Sequence, residues 1–194
     1  MFNKLRQNLV EQFVSTGIAL ILVITSTIHM RDIVNLLSSD KEINCDKIAV
    51  ILADNIFEDS MKPCTNNFSK QKCGARVLLK EVVDPGRHGV AAIDEYHVME
   101  IEKKQDNFKS NFAAVGLYFY DNKIFDNIRN LILPDRGKLE ITSVNNTYIE
   151  SKELRCDIVK GKWIDASTFQ YIKYIIDIVL NKNIIGVIQL RLIK

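Results

Sequence analysis

Two periods of apolar and polar positions run along this chain, and they separate its helices from its strands. Leu5, Leu9 and Phe13, with Val10 and Val14 beside them, recur at helical spacing, and Gly17 follows as a helix stop. The apolar run over 18–25 predicts a strand. Met30, Ile33, Val34 and Leu37 stand at i, i+3, i+4 and i+7, the stripe of a second amphipathic helix. Next comes Ile48-Ala49-Val50-Ile51-Leu52-Ala53, which closes on Asp54 and Asn55. A run so short and β-branched predicts a strand buried on both faces. Strand, helix and strand in that order predict two parallel strands joined by a right-handed crossover.

Beyond Asp59 the segment to residue 72 is polar and carries Pro63, Asn66 and Asn67, which predicts a loop or short irregular connection. Short β-rich stretches follow at 75–82, 89–93, 98–101 and 115–120, separated by the turn signals Asp84-Pro85-Gly86 and Asp94-Glu95. Segments 124–131 and 141–149 read as helices and 154–159 as a strand. Ser167 with Gln170 makes a capping box that opens a helix to about residue 180, and 184–192 reads as the last strand. The pattern predicts one α/β domain over 1–194, a Rossmann-like mixed sheet flanked by helices.

Composition narrows the function classes. With 194 residues, 47% of them hydrophobic and 26% charged, and only three prolines, the chain has an ordinary globular make-up. A net charge of +2 without basic blocks gives no case for nucleic-acid binding. Cys45, Cys64, Cys73 and Cys156 lack the short paired spacings of a zinc site and read as reduced thiols. Lys4 and Arg6 ahead of the apolar run from Gly17 imitate a signal peptide, but Glu11 interrupts the lead-in, and the run is shorter than the ~20 residues that span a bilayer. The expectation is a buried strand, no membrane, and a cytoplasmic protein.

The candidate chemistry rests on two carboxylates. In open sheets, ligands sit at the carboxyl ends of strands, where Asp54 stands and can hold a metal. Asp165, in Trp163-Ile164-Asp165-Ala166-Ser167-Thr168, stands ahead of the predicted helix and could supply the second ligand. Each residue also has a purely structural reading. Asp54 can cap a following helix, and Asp165 can complement a helix dipole. Trp163, Phe119 and Tyr120 read as core or cleft wall, while His29, His88 and His97 are too scattered to serve as ligands.

Several separated segments resemble the sugar-phosphate nucleotidyltransferase family, nearest its glucose-1-phosphate thymidylyltransferase branch. They are Leu52-Ala53-Asp54-Asn55-Ile56-Phe57, then Gly74-Ala75-Arg76-Val77-Leu78-Leu79-Lys80-Glu81-Val82 with Asp84-Pro85 and Gly89-Val90-Ala91. Further along come Lys109-Ser110-Asn111-Phe112-Ala113 with Gly116-Leu117-Tyr118-Phe119-Tyr120-Asp121, Arg136-Gly137-Lys138-Leu139-Glu140-Ile141-Thr142, and Trp163-Ile164-Asp165-Ala166. The resemblance implies that a sugar 1-phosphate attacks the α-phosphorus of dTTP or UTP, giving a nucleotide sugar and pyrophosphate. It implies Mg2+ held by Asp54 and Asp165, cations for the sugar phosphate at Lys104 and Arg136, and sugar contacts at Gly89, Glu102, Asn111 and Ala114.

The chain also departs from the family pattern. The family's Glu-Lys-Pro aligns with Lys103-Lys104-Gln105, so its glutamate is displaced to Glu102 or lost. The sequence starts at what resembles the helix after the family's first loop, so Gly-Gly-x-Gly-Thr-Arg-Leu is absent, and a second gap falls between Cys45 and Asp46. The expectation is therefore an incomplete nucleotidyltransferase fold lacking the first strand and glycine-rich loop, with apolar sheet edges that favour a homo-oligomer. Two functions are open: an enzyme of nucleotide-sugar synthesis completed by a partner chain, or a catalytically inactive relative that acts as a sugar-phosphate-binding or assembly module. Because several triphosphate contacts are lost together, the chain alone is expected to release no pyrophosphate above background.

Overall fold

The computed structural model describes residues 19–23, 46–52, 54–103, 108–131 and 141–165. Nine strands and three helices are present among them. The strands are β1 Ala19–Val23, β2 Lys47–Leu52, β3 Asn55–Phe57, β4 Ala75–Glu81, β5 Gly89–Asp94, β6 His97–Lys103, β7 Phe112–Asp121, β8 Leu154–Ile158 and β9 Trp163–Asp165. The helices are α1 Lys62–Lys70, α2 Lys123–Asn130 and α3 Ile141–Glu150, with a 3-10 turn at Pro85–Arg87. The helices expected over 5–14, 30–37 and 167–180, and the strand expected over 184–192, lie outside the described residues, as do Cys45, Lys104 and Arg136.

Seven strands form one mixed sheet in the order β1-β2-β7-β4-β8-β6-β5, and β3 pairs with β9 in a small second sheet. β1 and β2 run parallel, as strand-helix-strand order predicts, with Ala19 opposite Ile48 and Val23 opposite Leu52. β7 is the long central strand. β4 lies antiparallel along one of its edges from Ala75↔Tyr120 to Glu81↔Phe112, with a register shift between Val77 and Leu79. The other edge is shared. β2 takes Leu117 to Asp121 and β5 takes Ala113 and Ala114. Val115 and Gly116 therefore lie in a break between two partner strands.

Each face of the sheet carries its own apolar layer. Ile48, Val50, Val77, Leu79, Tyr118 and Tyr120 pack beneath α2 and α3, which contribute Ile124, Ile128, Val144 and Tyr148. The i, i+4 spacing of each helical pair places both side chains on one stripe. Ala49, Ile51, Leu78, Leu117 and Phe119 face the other way and meet Phe57, Met61 and Phe68. Buried polar groups stitch the first layer: Asp121 accepts from the Gly74 and Lys123 backbone N–H groups and from the Tyr148 hydroxyl, and Tyr120 donates to Asn145.

The polar segment expected to be a loop is the helix α1. Pro63 sits in its first turn, where a missing N–H costs nothing, and Thr65 and Phe68 one turn apart are buried. Phe68 lies 5.3 Å from Phe119 between ring centroids. The Lys47 ammonium donates to the carbonyls of Phe68, Ser69 and Gln71, closing the C-terminal end of this helix. Beneath it Arg76 pairs with Asp157 at 2.7 Å in a nearly dry setting and also donates to Gln71. The reading of Asp54 as a helix cap is also overturned, because the strand β3 begins at the next residue. Among the described residues no helix is long and apolar enough to cross a membrane.

If α1 is a core element, Phe68→Ala should lose about 3 to 5 kcal/mol, the usual cost of truncating a buried aromatic side chain. Urea unfolding followed by circular dichroism measures it, and a surface loop would give a change near zero.

Candidate active site

Asp54 stands in the turn between β2 and β3, half-buried, at the carboxyl end of the dry strand β2. Asp165 closes β9 directly opposite Asn55 in the β3–β9 ladder, where Ile56 faces Ile164 and Phe57 faces Trp163. A two-stranded ladder thus brings together two acids 111 positions apart. The Asp54 carboxyl is held above its ordinary range, first by burial and second by the Asp165 charge, and the Asn55 amide partly offsets both. The same charge on Asp54 adds to the burial that pushes the Tyr118 hydroxyl up.

The ladder is held from both ends. Beyond it, Glu58 and Asp59 strap the incoming chain, since the Lys162 N–H donates to Glu58 and the Gly161 N–H to Asp59 at 2.6 Å. Lys80 donates to the carbonyls of Val159 and Lys160. At the cleft end, Asn55 Oδ1 accepts from Gly116 N–H at 3.0 Å and from Trp163 Nε1–H at 2.7 Å. Asn55 Nδ2 donates to Asp54 Oδ1 at 2.7 Å. Gly116 must be glycine here, because an added Cβ would stand 2.2 Å from Asn55 Nδ2.

The sugar-side residues named from sequence fall on the neighbouring strands. Gly89 opens β5 opposite both Lys103 of β6 and Ala114 of β7, so Gly89 and Ala114 are brought together two residues from Gly116. The His88 ring, just before Gly89, meets the Trp163 ring edge-on at 5.0 Å. These contacts make one continuous rim from the carboxylates to β5. Glu102 lies opposite Val90 with its carboxylate buried, and Lys109 reaches it at 3.2 Å while also pairing with Glu100. Asn111 is exposed just ahead of β7, and its carbonyl accepts from the Val82 N–H.

Asn55, Gly116 and His88 lie in this network of contacts, and the sequence reading assigns them no role in it. Asn55 carried one signal, an amide directly after a strand-end carboxylate. Among the described residues no group of three or more His, Cys, Asp or Glu surrounds a common point. A pair of carboxylates suits a cation that fills its shell with water and phosphate oxygens, as Mg2+ does, and does not suit a closed zinc site. Cys64 is pushed up to about 12 and Cys156 to about 11 by burial, so both remain thiols.

The family model described as Nucleotidyl transferase matches residues 30–179. Glucose-1-phosphate thymidylyltransferase of Neisseria meningitidis serogroup A is 35% identical over 129 residues, 64% of this chain and 45% of that protein. The enzyme of the same name from Mycobacterium tuberculosis is 33% identical over 130 residues, 66% of this chain and 45% of that protein. The chain spans less than half the length of these curated relatives. A Bacillus anthracis protein named as a glucose-1-phosphate thymidylyltransferase and solved with sucrose superposes with a TM-score of 0.72 at 30% identity, over 100% of this chain and 85% of that one. A UDP-glucose pyrophosphorylase solved with UDP-glucose shares the fold at 21% identity, with a TM-score of 0.67 over 92% of this chain and 87% of that chain.

The geometry yields two testable outcomes. Folded Asp54 keeps its proton to higher pH than an unfolded Asp, so the folded chain binds more protons in that window and stability falls as pH rises through it. In metal-free buffer, Asp54→Asn should therefore melt above the parent at about pH 7, and the two should converge near about pH 3, below the ordinary Asp range. Thermal unfolding at both values checks the sign. Gly116→Ala should cost about 1 to 3 kcal/mol by overpacking, with a shift in Trp163 emission as the indole loses its acceptor.

Proposed function

The chain belongs to the nucleotidyl transferase family, and from that premise we propose that the cleft beside Gly116 is the metal and sugar-phosphate half of a nucleotidyltransferase centre. The observation that carries this reading is the β3–β9 ladder, which sets Asp165 opposite Asn55, the residue next to Asp54. When bound, Mg2+ would supply positive charge for phosphate oxygens. Asp54 and Asp165 would hold it, with the remaining positions left to water and substrate.

In the proposed reaction a phosphate oxygen of a sugar 1-phosphate forms a bond to the α-phosphorus of dTTP or UTP. The bond from that phosphorus to the bridging oxygen breaks, and pyrophosphate leaves. Such displacements depend on positioning and charge neutralisation more than on covalent help. The chain's own residues divide that work. Gly89 and Ala114 form a small-residue floor for the sugar, and the Trp163 and His88 rings wall it on the side of the carboxylates. Glu102, which pairs with Lys109, is assigned a sugar hydroxyl, since a carboxylate offers several acceptor positions. Asn111 borders this half, and Lys104 and Arg136 are assigned the sugar phosphate, Arg136 through its planar fork.

The experiment measures Mn2+ binding by electron paramagnetic resonance and, separately, pyrophosphate release with Mg2+, dTTP and glucose 1-phosphate. Asp54→Asn and Asp165→Asn should each weaken Mn2+ binding at least about tenfold. Pyrophosphate release that vanishes in Asp54→Asn supports the full reaction, whereas metal-dependent sugar-phosphate binding without release supports the module reading. Mn2+ binding that ignores both substitutions overturns the site.

A further inference from the structure

Asn55 joins three walls of the cleft, and we infer that it is a positioning residue for Asp54, with no direct contact to substrate. The inference rests on the reading of Asp54 and Asp165 as the metal-holding pair. Its first support is the direction of the amide. The Gly116 N–H and the Trp163 Nε1–H are donors only, so the group facing them must be the Asn55 oxygen. With both of its lone pairs engaged at 3.0 and 2.7 Å, the amide nitrogen is turned toward Asp54 and donates to Oδ1 at 2.7 Å. No rotation of the amide satisfies all three contacts otherwise.

The second support is steric and independent. Asn55 is buried, and its side chain lies over the bare Cα of Gly116, where an added Cβ would meet Nδ2 at 2.2 Å and Cγ at 2.5 Å. The glycine makes room for the clamp at the break in the β7 edge, where neither β2 nor β5 reaches the Gly116 N–H. Asn55 also stands opposite Asp165 in the ladder, and Trp163 lies two residues before it. One amide therefore sets the rotamer of the first carboxylate and the placement of the strand that bears the second. Groups that orient metal-binding side chains in this way typically change metal affinity by about 10- to 100-fold when removed.

The test exploits a convenience of the chain, in which Trp163 is the single tryptophan, so its emission reports on the clamp. Asn55→Ala removes the whole clamp. Trp163→Phe keeps an aromatic ring and removes one donor, leaving a milder variant should the first unfold. Mn2+ affinity of the full chain is measured by electron paramagnetic resonance, with far-ultraviolet circular dichroism as the control for folding. The expected result is a loss of at least about tenfold in Asn55→Ala with a shifted Trp163 emission, and a smaller loss in Trp163→Phe. Unchanged affinity in a folded Asn55→Ala protein whose emission has shifted overturns the inference. If the parent chain binds no Mn2+, the metal reading fails, and the 13C resonance of the Asp54 carboxyl then decides the positioning role. Displacement of that resonance in Asn55→Ala or Trp163→Phe supports it, and an unmoved resonance refutes it.

Discussion

One unpaired edge governs this structure. β7 pairs with β4 along one side, in a register that skips residues 115–117, and its other side is divided between β2 and β5 with a break at Val115 and Gly116. A buried backbone N–H cannot be left without an acceptor at low cost. The chain resolves the break by bringing in β3, whose first residue turns its side-chain oxygen onto Gly116. That requirement places Asp54 at the mouth of the break, and pairing with β9 brings Asp165 to the same place. The cleft is thus where the sheet changes partners, the position at which α/β sheets open a crevice.

The carboxylate pair is held against its own electrostatics. Burial and the neighbouring charge both favour the protonated form of Asp54, and the packed elements around it fix its position. β2 is dry on both faces, the Glu58 and Asp59 straps fix the entry to β9, and Trp163 is pinned between the Asn55 acceptor and the His88 ring. Family membership and this arrangement agree on one point, that the scaffold fixes the positions of both acids.

Much of this organisation was legible in the residues themselves. The run from Ile48 to Leu52 announced a strand buried on both faces, the segment 124–131 read as the helix α2, and Asp54 was recognisable as a strand-end acid. Other features were not. Pro63 and the two asparagines after it read as a breaker segment, although the proline occupies a first helical turn and Phe68 supplies the anchor. Local polarity cannot show that Phe119, fifty-one residues away, awaits a partner. β3 and β9 are three residues each, too short for any period to register, and each exists because the other supplies its hydrogen bonds.

The division reflects the range of the forces involved. Burial patterns, turn chemistry and the family motifs are local properties, so the sequence by itself determined the longer strands of the sheet, the helices α2 and α3, the fold class and the two acids as candidates. Their meeting, the orientation of the Asn55 amide, the need for glycine at 116 and the engagement of Glu102 by Lys109 depend on contacts between distant segments. Only the tertiary structure decided those, because a hydrogen bond or a charge acts over a few ångströms in space and carries no signature at its separation along the chain.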